Sequence, residues 1–332
     1  MSSNGYKDNS RTIALKIAAI VLVAIFVVSA LLFVVDIFDN NRSKYQGEDQ
    51  SLDKTLSYNG KKYTLKDNIE TFLVLGLDKY KDEETDSYNN NKQADFLMLF
   101  VIDNEAETCK VVHLNRDAMV EMNVLGVAGN KVATTTQQLA LSHTYGNGRE
   151  VSCRNTANAV SDMLMGAYID HYVSVTMDAV AVYNDFVGGV TVEILDDFSS
   201  IDPSLVKGET MTLVGEQALT YVRSRYGLDD PTNNTRMGRQ KQYLNALYDK
   251  TQQLKAESDT FIAEAALKIA DYIVSDCSGN KLETLLDKIT KYELGEVLDI
   301  SGETVKGEEF MEFYPDEDSI TEIVVECFYE AK

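Results

Sequence analysis

Five arginines stand at the ends of predicted elements in a chain whose net charge is −22. A guanidinium fork matches the oxygens of a phosphate group and can donate two parallel hydrogen bonds to it. Any one of these arginines alone would be expected to pair with a surface carboxylate. Because the five are grouped at element ends, where α/β domains place their sites, they predict a phosphate site. They are Arg116, Arg223, Arg225, Arg236 and Arg239.

The last two arginines share one face of a predicted helix with an amide. Arg236, Arg239 and Gln240 follow an i, i+3, i+4 spacing, and residues at that spacing are neighbours on a helix surface. The helix is predicted for residues 235–254, after a polar loop. This face therefore offers further hydrogen-bond donors to an anion.

Two aspartates flank predicted strands in a comparable way. Asp78 follows the first apolar strand and Asp95 opens the second. Magnesium is usually bound by one or two carboxylates together with phosphate oxygens of a substrate. The alternative is that both aspartates serve turns or caps, which is a common use of this residue.

The elements that must position these residues alternate between strands and helices. Asn59-Gly60 indicates a tight β-hairpin, and Gly188-Gly189 separates a helix from a strand. The alternation predicts a layered α/β domain with no second domain boundary. Strands are predicted at 69–75, 96–102, 110–114, 172–175 and 190–194, and helices at 134–165, 178–186, from 215, 235–254, 260–273 and 281–291.

Residues 17–35 carry no charge, and a helix of this length can cross a bilayer. A cleaved signal peptide would have a shorter apolar region and a small-residue cleavage site. Basic residues precede the span and acidic residues follow it, which predicts a cytoplasmic N-terminus. We expect a cytoplasmic tail at 1–16, a transmembrane helix at 17–35, a linker at 36–54 and an extracytoplasmic domain at 55–332.

Composition and motifs argue against several other functions. A strongly acidic chain lacks the basic face that nucleic acid requires. None of the four cysteines forms a CxxC pair, and the three histidines form no ligand pair, so a zinc or redox motif is not expected. The cysteines could be buried thiols or, outside the cytoplasm, form a disulfide. His113 lies in a predicted strand and is expected to be packed or hydrogen-bonded.

Several short motifs occur in an order that resembles one family. They lie at 75–78 (LGLD), 94–99 (ADFLML), 115–117 (NRD), 188–190 (GGV), 215–225 (GEQALTYVRSR) and 236–240 (RMGRQ). From about residue 68 to its C-terminal end, the chain resembles the LytR–CpsA–Psr family of cell-wall glycopolymer transferases. One N-terminal span is also that family's layout. Gln93 is a departure, because the family often has an arginine there.

The resemblance implies a mixed central β-sheet flanked by helices on both faces. It implies transfer of a phosphorylated glycopolymer, of the teichoic acid or capsule type, from a polyprenyl-pyrophosphate carrier to a peptidoglycan sugar hydroxyl. Asp95 or Asp117 could accept the hydroxyl proton. In the implied site, Asp78 and Asp95 hold Mg²⁺ (or Mn²⁺), and the pyrophosphate is contacted by Arg116, Arg223, Arg225, Arg236, Arg239 and Gln240.

Two other functions compete with this interpretation. A membrane-tethered module could hold lipid-linked polymer or cell wall without turning it over. A transcriptional regulator is disfavoured because the chain has no helix-turn-helix candidate, a short predicted cytoplasmic tail and a strongly acidic external part. Magnesium-dependent turnover would distinguish the transferase from the binding module.

The charge asymmetry around residues 17–35 predicts a topology that proteolysis can test. Protease added to intact protoplasts should digest the chain after residue 36, while a cytoplasmic marker protein stays intact. Full protection of the segment after residue 36 would contradict the external placement.

Overall fold

A computed structural model describes residues 51–77, 92–224, 227–228, 233–258, 260–278, 281, 284–285, 288–289, 291–307 and 310–332. The predicted span at 17–35, the predicted metal ligand Asp78 and the predicted anion ligand Arg225 lie outside these residues. Among the helices of the described residues, none is both long enough and apolar enough to cross a membrane.

The described residues form two compact units. The sheet unit comprises the described residues of 39–175, 273–278 and 287–332, and the helical unit comprises those of 176–272 and 279–286. The strands of the sheet unit are β1 (Thr55–Tyr58), β2 (Lys61–Leu65), β3 (Ile69–Leu77), β4 (Ala94–Asp103), β5 (Thr108–Leu114), β6 (Met119–Leu125), β7 (Lys131–Gln138), β8 (His171–Thr176), β11 (Ile273–Ser275), β12 (Glu293–Asp299), β13 (Gly302–Lys306), β14 (Met311–Pro315) and β15 (Tyr329–Ala331). Its helices are α1 (Glu150–Met163) and α6 (Glu317–Phe328), and a 3₁₀ helix spans Leu139–Thr144.

The central sheet has the strand order β11-β8-β3-β4-β5-β12. Strand β4 pairs with β3 and β5 in antiparallel fashion, and β11 pairs antiparallel with β8. Strand β12 runs parallel to β5. The prediction of a mixed central sheet is therefore confirmed.

Both faces of the central sheet are buried. Leu73 and Leu75 of β3, with Leu99 of β4, point to one face and belong to a hydrophobic cluster that includes residues of α1 and α6. Phe72 and Phe100 alternate with them and are also fully buried. Because successive strand side chains point to opposite faces, a continuous apolar strand is stable only where both faces are covered.

A second sheet joins the beginning of the described chain to its end. Asn59 and Gly60 both have positive φ, at 49° and 72°, as the predicted two-residue hairpin between β1 and β2 requires. Strand β15 pairs antiparallel with β2. The C-terminal strand thereby holds α6 against the sheet unit.

The predicted helix at 134–165 is wrong over its first half. The structure has β7 ending at Gln138, a 3₁₀ helix after it, and α1 only from Glu150. Strand β7 contains three consecutive threonines, and their β-branched side chains favour an extended backbone. Strand β7 pairs antiparallel with β6, with Thr135 opposite Met122.

The end of the predicted helix at 260–273 is also wrong. Helix α5 (Phe261–Ile269) passes into a 3₁₀ turn, Ala270–Tyr272, and residue 273 begins β11. The sequence predicted no elements after residue 291, where the structure has β12, the β13–β14 hairpin, α6 and β15. Helix α6 has an N-cap, because the Asp316 carboxylate accepts hydrogen bonds from the backbone of Asp318 and Ser319.

The helical unit contains the helices predicted at 178–186, from 215, at 235–254 and at 260–273. Its elements are α2 (Asp178–Phe186), β9 (Val190–Glu193), β10 (Thr210–Leu213), α3 (Glu216–Arg223), α4 (Asn233–Glu257) and α5. Asn184 of α2 is fully buried and donates from Nδ2 to the Leu213 carbonyl, at 2.8 Å. Its Oδ1 accepts from the Tyr243 hydroxyl at 3.1 Å. This amide therefore ties α2 to β10 and α4.

Gly189 permits the tight connection between α2 and β9. Its φ is +88°, and a Cβ at this position would lie 2.5 Å from Thr212 Cγ2 and 2.8 Å from the Leu213 carbonyl oxygen. Gly188 has a similar φ of +80°, but nothing lies within 4 Å of its Cβ position. The two neighbours thus share the conformational requirement but differ in available space.

That difference makes Gly188→Ala a matched control for Gly189→Ala. We expect Gly188→Ala to cost about 1–2 kcal/mol of unfolding free energy, because a side chain is disfavoured in the left-handed region. Gly189→Ala should cost more, because the clash adds to the same backbone strain. Denaturant unfolding of both full-length variants in detergent measures the difference, and equal losses would contradict the close approach.

Candidate anion-binding site

The strand register of the sheet unit places Asp95 opposite Arg116. The last paired residues of β4 and β5 at this end of the hairpin are Leu97 and Leu114. Continuing the same antiparallel register by two positions brings Asp95 across from Arg116. The Arg116 Nη1 group forms an ion pair with Asp95 Oδ1. Buried apolar pairs within β4 and β5 therefore fix the position of a charged pair at the ends of these strands.

Arg116 has two further polar partners. Its Nη2 donates to Gln93 Oε1 at 2.9 Å, and its Nε lies 3.5 Å from Asp117 Oδ1. The arginine and Asp95 side chains are 37% and 41% exposed. The guanidinium is thus oriented by protein groups while solvent, or an anion from solvent, can reach it.

Gln138, which the sequence interpretation missed, orients Asp117. The Gln138 side chain is buried and its Nε2 donates to Asp117 Oδ1 at 3.0 Å and to the Met311 carbonyl at 2.7 Å. The backbone N–H of Asp117 donates to Asn115 Oδ1 at 2.9 Å. The wrong helix assignment at 134–165 hid Gln138, because the last residue of a strand was treated as part of a helix.

Gln93 was noted in the sequence only as a departure from a family pattern. Its contact with Arg116 Nη2 gives it a definite role in holding the guanidinium. An arginine at this position would add a second cation beside Arg116, whereas the glutamine adds an acceptor. The candidate site of the sheet unit therefore consists of Asp95, Arg116 and Asp117, supported by Gln93 and Gln138.

Arg239 of the helical unit is an internal residue. Its side chain is 0% exposed, its Nε donates to the Tyr221 carbonyl at 2.8 Å, and its Nη groups contact Asp196 and the Ser224 carbonyl. Its Cζ also lies 5.5 Å from the centre of the Phe198 ring. The shared helix face predicts that Arg239 offers donors to an anion, but in the structure these donors bond protein groups. Direct contact with a pyrophosphate would require its release from them.

The other predicted anion ligands are less fully described. Arg223 is the last residue of α3 and is partly exposed. Arg236 and Gln240 lie in α4, and their side chains are outside the described part of the structure, as is the whole of Arg225. Their contact with a pyrophosphate stays a prediction.

The predicted metal site depends on Asp95 and Asp78. The Asp95 carboxylate is a hard oxygen donor with access to solvent, which suits magnesium. Asp78 lies outside the described residues. Within the described residues, no group of three histidine, cysteine or carboxylate ligands includes Asp95. The donor set fits a metal completed by substrate oxygens, and metal binding stays a prediction.

Cys109, Cys153, Cys327 and His113 have structural surroundings. All four cysteines are buried and none forms a disulfide within the described residues, as one of the two alternatives expected. Burial raises the pKa of Cys109, Cys153 and Cys327 to about 12, so these thiols stay protonated. The Nδ1 atom of His113 lies 3.1 Å from Asp299 Oδ1, which agrees with a hydrogen-bonded histidine.

Comparison with known proteins identifies the family. The model of the LytR_cpsA_psr family matches residues 32–324, which is most of the chain. The chain belongs to the LytR_cpsA_psr family. The resemblance found in the sequence motifs is therefore confirmed.

Several curated proteins are similar in sequence to this chain. The polyisoprenyl-teichoic acid–peptidoglycan teichoic acid transferase TagV of Bacillus subtilis is 29% identical over 241 residues, which cover 70% of this chain and 56% of the relative. The chain spans about half the length of the curated relatives it matches.

Two solved structures share the fold. The crystal structure of B. subtilis TagV has a TM-score of 0.51 and 22% identity, covering 79% of this chain and 97% of that one. A structure of TagT bound to LI-WTA has a TM-score of 0.51 and 21% identity, covering 78% of this chain and 89% of that one. Together they support the mixed α/β fold.

The burial of Arg239 predicts how the free energy of unfolding changes in a double-mutant cycle with Asp196. Arg239→Met should destabilise the protein by about 3–5 kcal/mol, because it leaves Asp196 as an uncompensated charge in the interior. Adding Asp196→Leu should recover much of that loss, since both partners are then removed. Denaturant unfolding of the full-length variants measures each value. A loss below about 1 kcal/mol in Arg239→Met would contradict the structural role.

Proposed function

We propose that this protein transfers a phosphorylated glycopolymer from a polyprenyl-pyrophosphate carrier to a sugar hydroxyl of peptidoglycan. The polymer is of the teichoic acid or capsule type. The single observation that carries the proposal is the partly exposed Arg116 side chain, held opposite Asp95 at the ends of β4 and β5. Family membership supports it, and so does the name of the TagV relative.

In the proposed reaction, Arg116 binds pyrophosphate oxygens. An oriented guanidinium can exchange its carboxylate partner for a phosphate oxygen without losing hydrogen bonds. It then neutralises charge that accumulates on the phosphoryl group in the transition state. Because neighbouring side chains already orient Arg116, little side-chain entropy is lost on binding.

A carboxylate beside Arg116 accepts the proton of the attacking hydroxyl. The hydroxyl oxygen bonds to the polymer-linked phosphorus, the bond from that phosphorus to the bridging oxygen breaks, and polyprenyl phosphate leaves. Asp95 and Asp117 are both near enough to Arg116 to serve as this base. Asp117 also accepts a hydrogen bond from Gln138, which orients it.

A divalent cation would supply charge neutralisation to the pyrophosphate when bound. We propose Asp95 and Asp78 as its protein ligands, for either Mg²⁺ or Mn²⁺. Asp95 would then exchange part of its interaction with Arg116 for the metal. The substrate oxygens would bind both the metal and Arg116.

The carrier lipid would require the domain to stay near a bilayer. We propose that residues 17–35 anchor the protein as a single-pass membrane helix, with the domain outside the cytoplasm. The absence of charge in that segment and the asymmetry of its flanks support the proposal. Lipid-linked polymer and peptidoglycan are the proposed partners on that side of the membrane.

Replacing Arg116 tests the proposal directly. Arg116→Ala should reduce the rate of polymer transfer by about two to three orders of magnitude, because a charge-assisted contact to the transition state is lost. Arg116→Lys should restore only part of the rate, since an ammonium lacks the guanidinium fork. Transfer is measured with purified lipid-linked polymer and peptidoglycan.

Arg149→Ala is the matched control, because Arg149 is an exposed arginine of the same unit that lies just before α1. This variant should keep the wild-type rate. Near-normal transfer by Arg116→Ala would contradict the proposed role. Lipid binding without turnover by the wild-type protein would instead favour the non-catalytic binding module.

The metal proposal predicts linkage between cation and pyrophosphate. Magnesium should bind full-length protein more tightly when a soluble polyprenyl-pyrophosphate analogue is present, because binding of the two is reciprocal. Calorimetric titration measures the gain, and Asp95→Asn should lose it. If Asp95→Asn keeps both the gain and the transfer rate, then Asp95 only orients Arg116.

A further inference from the structure

A second cluster of potential ligands lies in the sheet unit, among residues that the proposed reaction does not use. His171 is the first residue of β8, and Asp276 and Cys277 directly follow β11. Their ligand atoms all lie within 4.8 Å of one another. His171 is more than 100 positions away from Asp276 and Cys277 in sequence, so spacing motifs gave no sign of the cluster.

Strand register brings His171 and Cys277 together. Strands β8 and β11 are antiparallel, and Ser275 is opposite Val173. Continuing that register by two positions places Cys277 across from His171. Directly opposite residues of an antiparallel pair have Cβ atoms about 4.5–5.5 Å apart. The fold of the sheet unit therefore sets this approach.

The distances are close to those of a tetrahedral zinc site. Asp276 Oδ1 lies 3.7 Å from His171 Nδ1 and 3.9 Å from Cys277 Sγ. Zinc bonds of about 2.0–2.3 Å to nitrogen, oxygen and sulfur would place tetrahedral ligands about 3.4–3.6 Å apart. A contraction of a few tenths of an ångström would bring these two pairs to that spacing, and the ligand atoms of His171 and Cys277 lie within 4.8 Å of each other.

Neighbouring groups orient the potential ligands, as the hydrogen-bond partners of metal ligands do in known metal sites. Asp276 Oδ1 accepts from the Tyr172 backbone at 3.0 Å, and Asp276 Oδ2 pairs with Arg154. On the other side of the imidazole, Glu70 Oε1 lies 3.9 Å from His171 Nε2. The ring thus presents Nδ1 towards Asp276 and Nε2 towards Glu70.

We propose that His171, Asp276 and Cys277 bind a zinc-class divalent metal ion in the sheet unit. A thiolate with an imidazole selects a borderline-soft ion such as zinc and disfavours magnesium. On binding, the Cys277 thiol releases its proton to solvent as the sulfur–metal bond forms. His171 and Asp276 are 24% and 19% exposed, which leaves an entry path and a fourth position for water.

The bound ion would join strand β8 to the segment after β11, which are brought together from distant parts of the chain. Because the ion binds the folded site, it stabilises the sheet unit by linkage. This role is separate from the proposed polymer transfer. The zinc-class ion also differs chemically from the proposed magnesium ion, which is bound by oxygen ligands.

Cobalt titration tests the proposal on full-length protein in detergent, after chelator treatment under reducing conditions. One equivalent of Co²⁺ should produce a thiolate-to-cobalt charge-transfer absorption in the near ultraviolet. Zn²⁺ should displace the cobalt, and Mg²⁺ should not. Zn²⁺ should also raise the thermal unfolding temperature of the wild-type protein.

Replacing single residues tests whether the charge-transfer band comes from the proposed ligands. Cys277→Ser and His171→Gln should lose the charge-transfer band, whereas Cys109→Ser, at a buried thiol of β5, should keep it. The proposal is overturned if wild-type protein gives no such band at one equivalent of Co²⁺, or if Cys277→Ser retains it. Either result would mean that His171 only completes the ion-pair network of Glu70 and Asp276.

Discussion

The candidate anion site depends on the antiparallel register between β4 and β5. Seven residue pairs of that hairpin, from Asp103–Thr108 to Leu97–Leu114, define the register. A slip by one residue would turn every buried side chain of a strand towards the opposite face, so burial on both faces makes the register costly to change. The position of Asp95 opposite Arg116 follows from this constraint.

Two arginines of this acidic chain have different structural environments. Arg116 is held by side chains and keeps more than a third of its surface exposed. Arg239 has no exposure, and its donors are satisfied by one carboxylate and two backbone carbonyls. The first arrangement leaves a cation accessible to an anionic ligand. The second neutralises a buried charge and ties α4 to the end of α3.

Much of this could be predicted from the sequence where the signals are local. Runs of apolar residues predict the strands around Leu73, Leu99 and Val112, and the turn residues predict the hairpin at Asn59. The strand containing Thr135 was missed because neighbouring alanine, leucine and glutamine residues favoured a helix, although a run of threonines was a signal for a strand.

Other features depend on contacts between distant parts of the chain, which a single sequence does not reveal. Strand β12 pairs with β5 across more than 180 residues, and Gln138 reaches both Asp117 and Met311. The burial of Arg239 follows from the packing of α3 and α4, whereas its helical spacing alone predicted donors for an anion. The approach of Cys277 to His171 has the same non-local origin.

Arg116, positioned by strand register, is proposed to bind the pyrophosphate of a carrier lipid. The most direct test is mass spectrometry of organic extracts from full-length protein purified from its own membrane. The wild-type extract should contain a polyprenyl phosphate or pyrophosphate lipid, and the Arg116→Ala extract should lack it at equal protein. Equal amounts of that lipid in both extracts, or only bulk phospholipid in the wild-type extract, would contradict the account.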